Sequence, residues 1–211
     1  MKSIKVKAKN VDDAVAEALN KLGIEEKEAE INVIDEGSKG LLGFIGAKDA
    51  VVEVKKIFDP VEAGKDFLEE LLNKANINVE VEIMDNETTD EQVMYNLKGQ
   101  NELGLVIGHR GETLDALQYL TSIYLNKELK EYYRVLLDAE GYRERRRETL
   151  ERLAARLANK AEKKQRKVVL EPMPPHERRI IHIKLKENNN VKSYSEGEEP
   201  YRKVMIEPLD N

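Results

Sequence analysis

Leu103-Gly-Leu-Val-Ile-Gly-His-Arg-Gly-Glu-Thr-Leu-Asp-Ala-Leu-Gln-Tyr-Leu-Thr121 decides how the rest of the chain is read. A short apolar run, Leu103 to Ile107, meets Gly108-His-Arg-Gly111. Leu114, Leu117, Leu120, Thr121 and Tyr124 then recur at the spacing of one helix face. The pattern predicts helix, tight loop, helix. The second helix begins with unpaired backbone N–H groups and the positive end of its dipole. Gly108 and Gly111 lack a Cβ, so a phosphodiester can come close to the backbone. His109 and Arg110 add donors and charge. A loop of this kind can grip the backbone of a nucleic acid. Two glycines at this spacing also make an ordinary helix–helix turn. Gly37 to Gly40 and Gly43 to Gly46 fit the same pattern without opening a long helix.

Outward from the loop, the elements follow an order. Asp59-Pro60 marks a boundary. Residues 61–76 read as a helix with Val61, Phe67, Leu68, Leu71 and Leu72 as core. Val79, Val81 and Ile83 alternate with glutamates, and residues 93–97 and 132–138 read as further strands. Residues 60–140 are therefore α-β-β-α-α-β. Before them, residues 1–57 read as strand, helix, strand, loop and strand. Asn10 caps the helix and Gly23 stops it. The loop in this first unit contains Lys39, Gly40, Leu41, Leu42, Gly43 and Phe44, more apolar than solvated loops usually are. Such a cluster is either folded back as core or a docking surface for a protein or the membrane.

The net charge of −6 hides an asymmetry. Residues 141–211 hold 18 Lys and Arg against 12 Asp and Glu, which is +6 and leaves −12 for the first 140. The basic third is the expected electrostatic footprint for a polyanion. The chain has no cysteine, which excludes disulfides, thiolate metal sites and a Cys nucleophile. No apolar run reaches the ~18–20 residues of a membrane span, and the N-terminus lacks a signal-peptide core. A cytoplasmic protein is expected, peripheral at the membrane only through a partner.

In residues 141–211 a long helix spans 142–166, with Leu150, Leu153, Ala154, Leu157, Ala158 and Ala161 as its apolar stripe. Its many arginines and lysines read mainly as a solvated face with i,i+4 pairs to glutamate. Lys167 to Glu171 reads as a strand. Pro172-Met-Pro-Pro-His-Glu-Arg-Arg-Ile-Ile-His182 follows. If its helix continues, Arg178 and His182 share a face. If the chain turns to strand at His182, then Ile183 and Leu185 face inward, and His182, Lys184 and Lys186 outward. The strand version is preferred. An Arg in this setting can pair with phosphate and a His can donate to or stack on a base. The alternative is that both satisfy local carbonyls and Glu177.

The central segment resembles a type II KH domain, and the whole chain is similar to the bacterial Jag/KhpB (EloR) family. Ser38 to Gly43 matches a motif of the Jag N-terminal domain, with Leu41 replacing the usual Phe. The segment Arg178 to His182, with Ser193 to Lys203 downstream, resembles the domain named for its Arg-x-x-x-His signature. The resemblance implies an α+β fold of three small domains. They are a βαββ Jag N-terminal domain (1–57), a type II KH domain (60–140) and an Arg-x-x-x-His domain (141–211) with a helix, a three-stranded sheet and a short helix. It implies a backbone-gripping loop over Ile107, Gly108, His109, Arg110 and Gly111. It makes Arg178 and His182 signature residues of a second single-strand site, to which Arg179, Lys184 and Arg202 are added.

A non-catalytic protein binding single-stranded RNA, or single-stranded DNA, is therefore expected, with no cofactor and no metal. The three histidines have no nucleophile or carboxylate cluster at catalytic spacing. The family resemblance also implies regulation after transcription or of cell elongation. Its implied partners are a small stand-alone KH protein and the membrane insertase or cell-wall machinery; a second copy of the chain is a further candidate, because KH helices can pair. A scaffold docking through residues 39–44 is the alternative.

Overall fold

The computed structural model describes residues 3–38 and 48–209. Three small α+β domains follow one another, each with its own three-stranded sheet. The chain divides into two compact units, Met1–Asp66 with Lys127–Lys130, and Phe67–Asn126 with Glu131–Asn211.

In the first unit, β1 (Ser3–Ala8), α1 (Val11–Leu22), β2 (Ala29–Asp35) and β3 (Ala50–Lys56) form an antiparallel sheet in the order β1-β3-β2 with α1 on one face. Asn10 accepts from the Asp13 N–H at 2.8 Å and starts α1. Gly23 ends it at φ 67, its N–H returning to Leu19 and Asn20. Val6, Ala14, Ala18, Val52 and Val54 make the core, which explains the alternation along β1 and β3.

The central domain begins with α2 (Pro60–Lys74). It continues through β4 (Glu80–Ile83), β5 (Gln92–Lys98), α3 (Leu103–Ile107), α4 (Glu112–Asn126) and β6 (Arg134–Ala139). β4 is antiparallel to β5, and β5 is parallel to β6 across the α3–α4 crossover. The sequence order α-β-β-α-α-β thus has its matching topology. Leu114, Leu117, Thr121 and Leu125 are buried along α4, whereas Leu120 and Tyr124, expected on the same face, are 45% and 40% exposed. Phe67 stacks on Tyr124 with ring centroids 4.4 Å apart.

The last domain has α5 (Tyr142–Lys164), β7 (Val168–Pro172), α6 (Pro175–Leu185), β8 (Val191–Glu196) and β9 (Lys203–Pro208). Its antiparallel sheet runs β7-β9-β8. Leu150, Ala154, Ala158 and Ala161 of α5 meet Ile181 and Leu185 of α6 and Leu170, Val191, Val204 and Ile206 of the sheet. Both helices therefore cover one sheet face.

Here one expectation is corrected. The chain does not turn to strand at His182, because α6 continues through Leu185. The run Ile181-His-Ile-Lys-Leu185 alternates apolar and polar residues, which imitates a strand. Helical spacing prevails because Ile181 and Leu185, four apart, both reach the core, and Ile183 is left 60% exposed instead. Pro175 at the helix start supplies the N-terminus.

Candidate nucleic-acid interface

The glycine loop is a single tight turn between α3 and α4. Gly108 lies at φ 70 and Gly111 at φ 88, a region that favours glycine. Crowding adds to this. A Cβ on Gly108 would collide with the Thr113 side chain, and one on Gly111 would lie 3.0 Å from Tyr142 Cε1 of α5. Both glycines are thus required inside the protein, before any ligand is considered. Arg110 between them is also left-handed, at φ 57 and ψ 24. Its guanidinium is not free. Nη1 donates to the Pro172 carbonyl at 2.9 Å, and Nη2 pairs with the Glu171 carboxylate. His109 stays exposed, with Nδ1 3.6 Å from Glu112. Ile107 is half-buried at the end of α3. The loop therefore presents a helix N-terminus and one exposed imidazole, while its arginine is held by β7 of the following domain.

The Arg-x-x-x-His corner is built differently. Arg178 and His182 lie one turn apart on the face of α6 that meets β8. Arg178 is 8% exposed; its Nε donates to the Met173 carbonyl at 3.1 Å and its Nη2 pairs with Glu199. His182 lies between two serines, with Nδ1 2.8 Å from Ser193 Oγ and Nε2 2.8 Å from Ser195 Oγ. Burial and the nearby Arg178 charge push its pKa below the ordinary histidine value, so the ring is neutral at pH 7. A neutral ring donates through one nitrogen and accepts through the other, and two serines satisfy both. Arg202 closes the turn after β8 by donating to the Gly197 and Ser195 carbonyls at 2.7 and 3.1 Å. The signature residues hold the corner in place. The exposed cations beside them are Arg179, Lys184, Lys186 and Lys192. A groove of about 550 Å³ runs between α6 and β8, lined by Arg179, His182, Ile183, Lys186, Lys192 and Tyr194 among others.

Comparison with known proteins follows this division. Residues 6–56 match the Jag N-terminus and residues 65–137 the KhpA/KhpB KH domain. Residues 148–208 match the domain family named for the Arg-x-x-x-His signature. The chain is 43% identical over 206 residues to RNA-binding protein KhpB of Clostridium symbiosum, covering 98% of this chain and 91% of that protein. It is 38% identical over 208 residues to RNA-binding protein KhpB of Bacillus subtilis, covering 98% of each. The chain belongs to the KhpB family.

For this KhpB-family chain the sequence located the loop and the signature pair, but not what holds them. Glu177 is 1% exposed, and its carboxylate receives Arg146 Nε at 2.6 Å and Nη2 at 3.1 Å. Arg146 is therefore a structural partner rather than a member of a solvated face, and Glu177 belongs to Arg146 rather than to Arg178. Arg143 bonds Asp115 of α4 at 2.8 Å and donates to the Leu137 carbonyl at 2.8 Å. These partners are distant in sequence and carry no local signal. Ser193 and Ser195 did carry one, since residues two apart on a strand share a face. The expected docking residues Lys39, Gly40, Leu41, Leu42, Gly43 and Phe44 lie outside the described residues. Among the described residues no helix is long and apolar enough to cross a membrane, and no group of His, Asp or Glu could hold a metal ion.

Proposed function

We propose that the chain binds single-stranded RNA, without catalysis, through its KH loop and its Arg-x-x-x-His domain. The observation that carries this reading is the glycine loop, which opens directly onto the N-terminus of the 15-residue helix α4. Two relatives named RNA-binding proteins, matched over nearly their whole length, support it. In the loop, Ile107 to Gly111 hold a few nucleotides of backbone, with His109 at the surface and Arg110 available once it leaves Glu171. In the second domain, Arg179 with its neighbours Lys186 and Lys192 attracts phosphates along the α6–β8 groove, and Lys184 adds positive charge beside Ala155 of α5, outside the groove. Arg178, His182 and Arg202 fix its shape. Two modest sites on one chain raise each other's effective concentration, so the pair binds more tightly than either alone.

The proposed boundaries are 1–57, 60–140 and 141–211. The proposal extends to a regulatory role after transcription or in cell elongation. A stand-alone KH protein, or a second copy of the chain, would seat on the apolar stripe Tyr119, Leu120, Ile123 and Tyr124, which α4 leaves exposed.

Fluorescence anisotropy of the intact chain with a random-sequence single-stranded RNA and its DNA equivalent, across a salt series, tests the reading. Affinity should fall as salt rises. It should fall in two steps on changing His109 and Arg110 to Ala, and then Arg179 and Lys184 to Ala. Unchanged affinity in the combined variant overturns the proposal.

A further inference from the structure

The sheet of the last domain has a second face, and its position suggests a use. Helices α5 and α6 cover the side of Val191, Val204 and Ile206. The opposite side carries Val169 of β7, Met205 of β9 and Tyr194 of β8, which are direct cross-strand partners in one row. Val169 is 49% exposed and Tyr194 36%, while Met205 between them is buried at 4%. Lys167 reaches over this row. Its Nζ donates to the Tyr194 hydroxyl at 3.2 Å and lies 5.7 Å from the ring centre. Lys192 shares the face and is paired to Glu207 at 3.1 Å. Lys203 of β9 also stands on this face, opposite Glu196 in the register.

The two edges of this sheet are also distinctive. At the β7 edge, Glu171 and the Pro172 carbonyl hold Arg110 of the glycine loop. At the β8 edge lies the α6–β8 groove, and Tyr194 lines it as well as the open face. The open face therefore lies between the two candidate sites. The outer strands are two strand spacings apart, roughly 10 Å.

We infer that the open face of this sheet is a third contact for single-stranded nucleic acid, carrying the strand between the glycine loop and the α6–β8 groove. A base stacks on Tyr194 above Val169 and Met205, and Lys167 and Lys203 face the adjoining phosphates. The chemistry suits any base, because stacking on an aromatic ring reads no sequence. This inference rests on the proposed RNA-binding reading.

The test uses the intact chain and fluorescein-labelled oligouridylates of about 4 and about 16 nucleotides, the span of site sizes typical of small single-strand modules. Tyr194→Ala should weaken the long oligomer about tenfold, as loss of one stacked base does. It should weaken the short one less than about twofold, because a short strand is held at one site without crossing the sheet. Tyr194→Phe keeps the ring and should stay within about twofold on both. Lys167→Gln, an exposed change that leaves the fold intact, should reduce the slope of log affinity against log salt by about 0.7 for the long oligomer. Tyr194→Ala should leave that slope unchanged. Equal losses on both oligomers would place Tyr194 in the groove alone and overturn the inference, as would an unchanged slope in Lys167→Gln. If Arg179→Ala weakens binding and Tyr194→Ala does not, the inference falls and the RNA-binding reading stands. If the unmodified chain binds neither oligomer, both fall.

Discussion

Arg110 and Arg178 belong to two short motifs of the same chain, and each is bonded to a glutamate and a main-chain carbonyl. Their surroundings differ. Glu171, the partner of Arg110, is exposed, and the loop around Arg110 takes its shape from two glycines and a helix start. Arg178's partner Glu199 is exposed as well, but Arg178 itself is 8% exposed in a corner made of side chains, next to the buried Glu177–Arg146 pair. The histidines repeat the contrast. His109 is solvated, whereas both nitrogens of His182 are occupied by serines. A motif defined by backbone shape leaves its side chains free to change. A motif defined by side chains ties its signature residues into the fold and leaves contact with a ligand to their neighbours.

This contrast is sharpest at Arg146. Removing it as Arg146→Met strands the buried Glu177 carboxylate, and breaking such a pair from one side costs about 3 kcal/mol or more. Urea unfolding of the intact chain should show the loss, with no comparable loss in Arg110→Ala. A cost below about 1 kcal/mol in Arg146→Met would place the corner in the class of solvated surface pairs.

Gly108→Ala attacks the loop where it is vulnerable, in its backbone. The positive φ and the collision with Thr113 demand a shift of the turn, with a cost of about 1–3 kcal/mol for the strained conformation. RNA affinity should drop by more than in His109→Ala, because the whole helix start moves. Anisotropy that places the two variants level would mean that side chains, not backbone, make the loop.

His182 gives the corner a pH signature. Its folded pKa is depressed, so below its unfolded value near 6.5 the unfolded chain holds more protons. The stability it contributes is complete above about pH 6.5. That stability is lost as the pH falls through the depressed folded value. Melting temperatures measured from pH 7.5 downward should separate the chain from His182→Gln, whose curve lacks this component. Parallel curves would remove the serine-held neutral ring from the account.

The smallest effect concerns the tie between the two regions. Glu171→Gln frees Arg110 and should raise RNA affinity about two- to fivefold, the scale of one surface ion pair. The gain should vanish in an Arg110→Ala background, a double-mutant comparison that separates the released arginine from simple loss of a negative charge.

The elements were legible in the sequence wherever burial has a short period. β1 and β3 alternate because one sheet face is covered, and α4 shows part of its stripe because Leu114, Leu117 and Thr121 reach the core, whereas Leu120 and Tyr124 stay exposed and Leu125 takes the next core position. Gly108-x-x-Gly111 was legible because left-handed backbone and close packing select glycine. The run after Ile181 misled because alternation and helical spacing overlap over five residues, and only the core could choose between them.

By itself, then, the sequence determined the three α+β domains, the α-β-β-α-α-β order around the loop and the i,i+4 placement of Arg178 and His182 as an open alternative. Local periodicity and glycine chemistry are written in neighbouring residues. Tertiary structure alone decided that Arg146 neutralises Glu177, that Tyr142 closes on Gly111 and that Arg110 rests on Glu171. Arg110 and Glu171 are 61 positions apart. Such partners are chosen by packing of whole elements, which brings charges together at distances that no local pattern records.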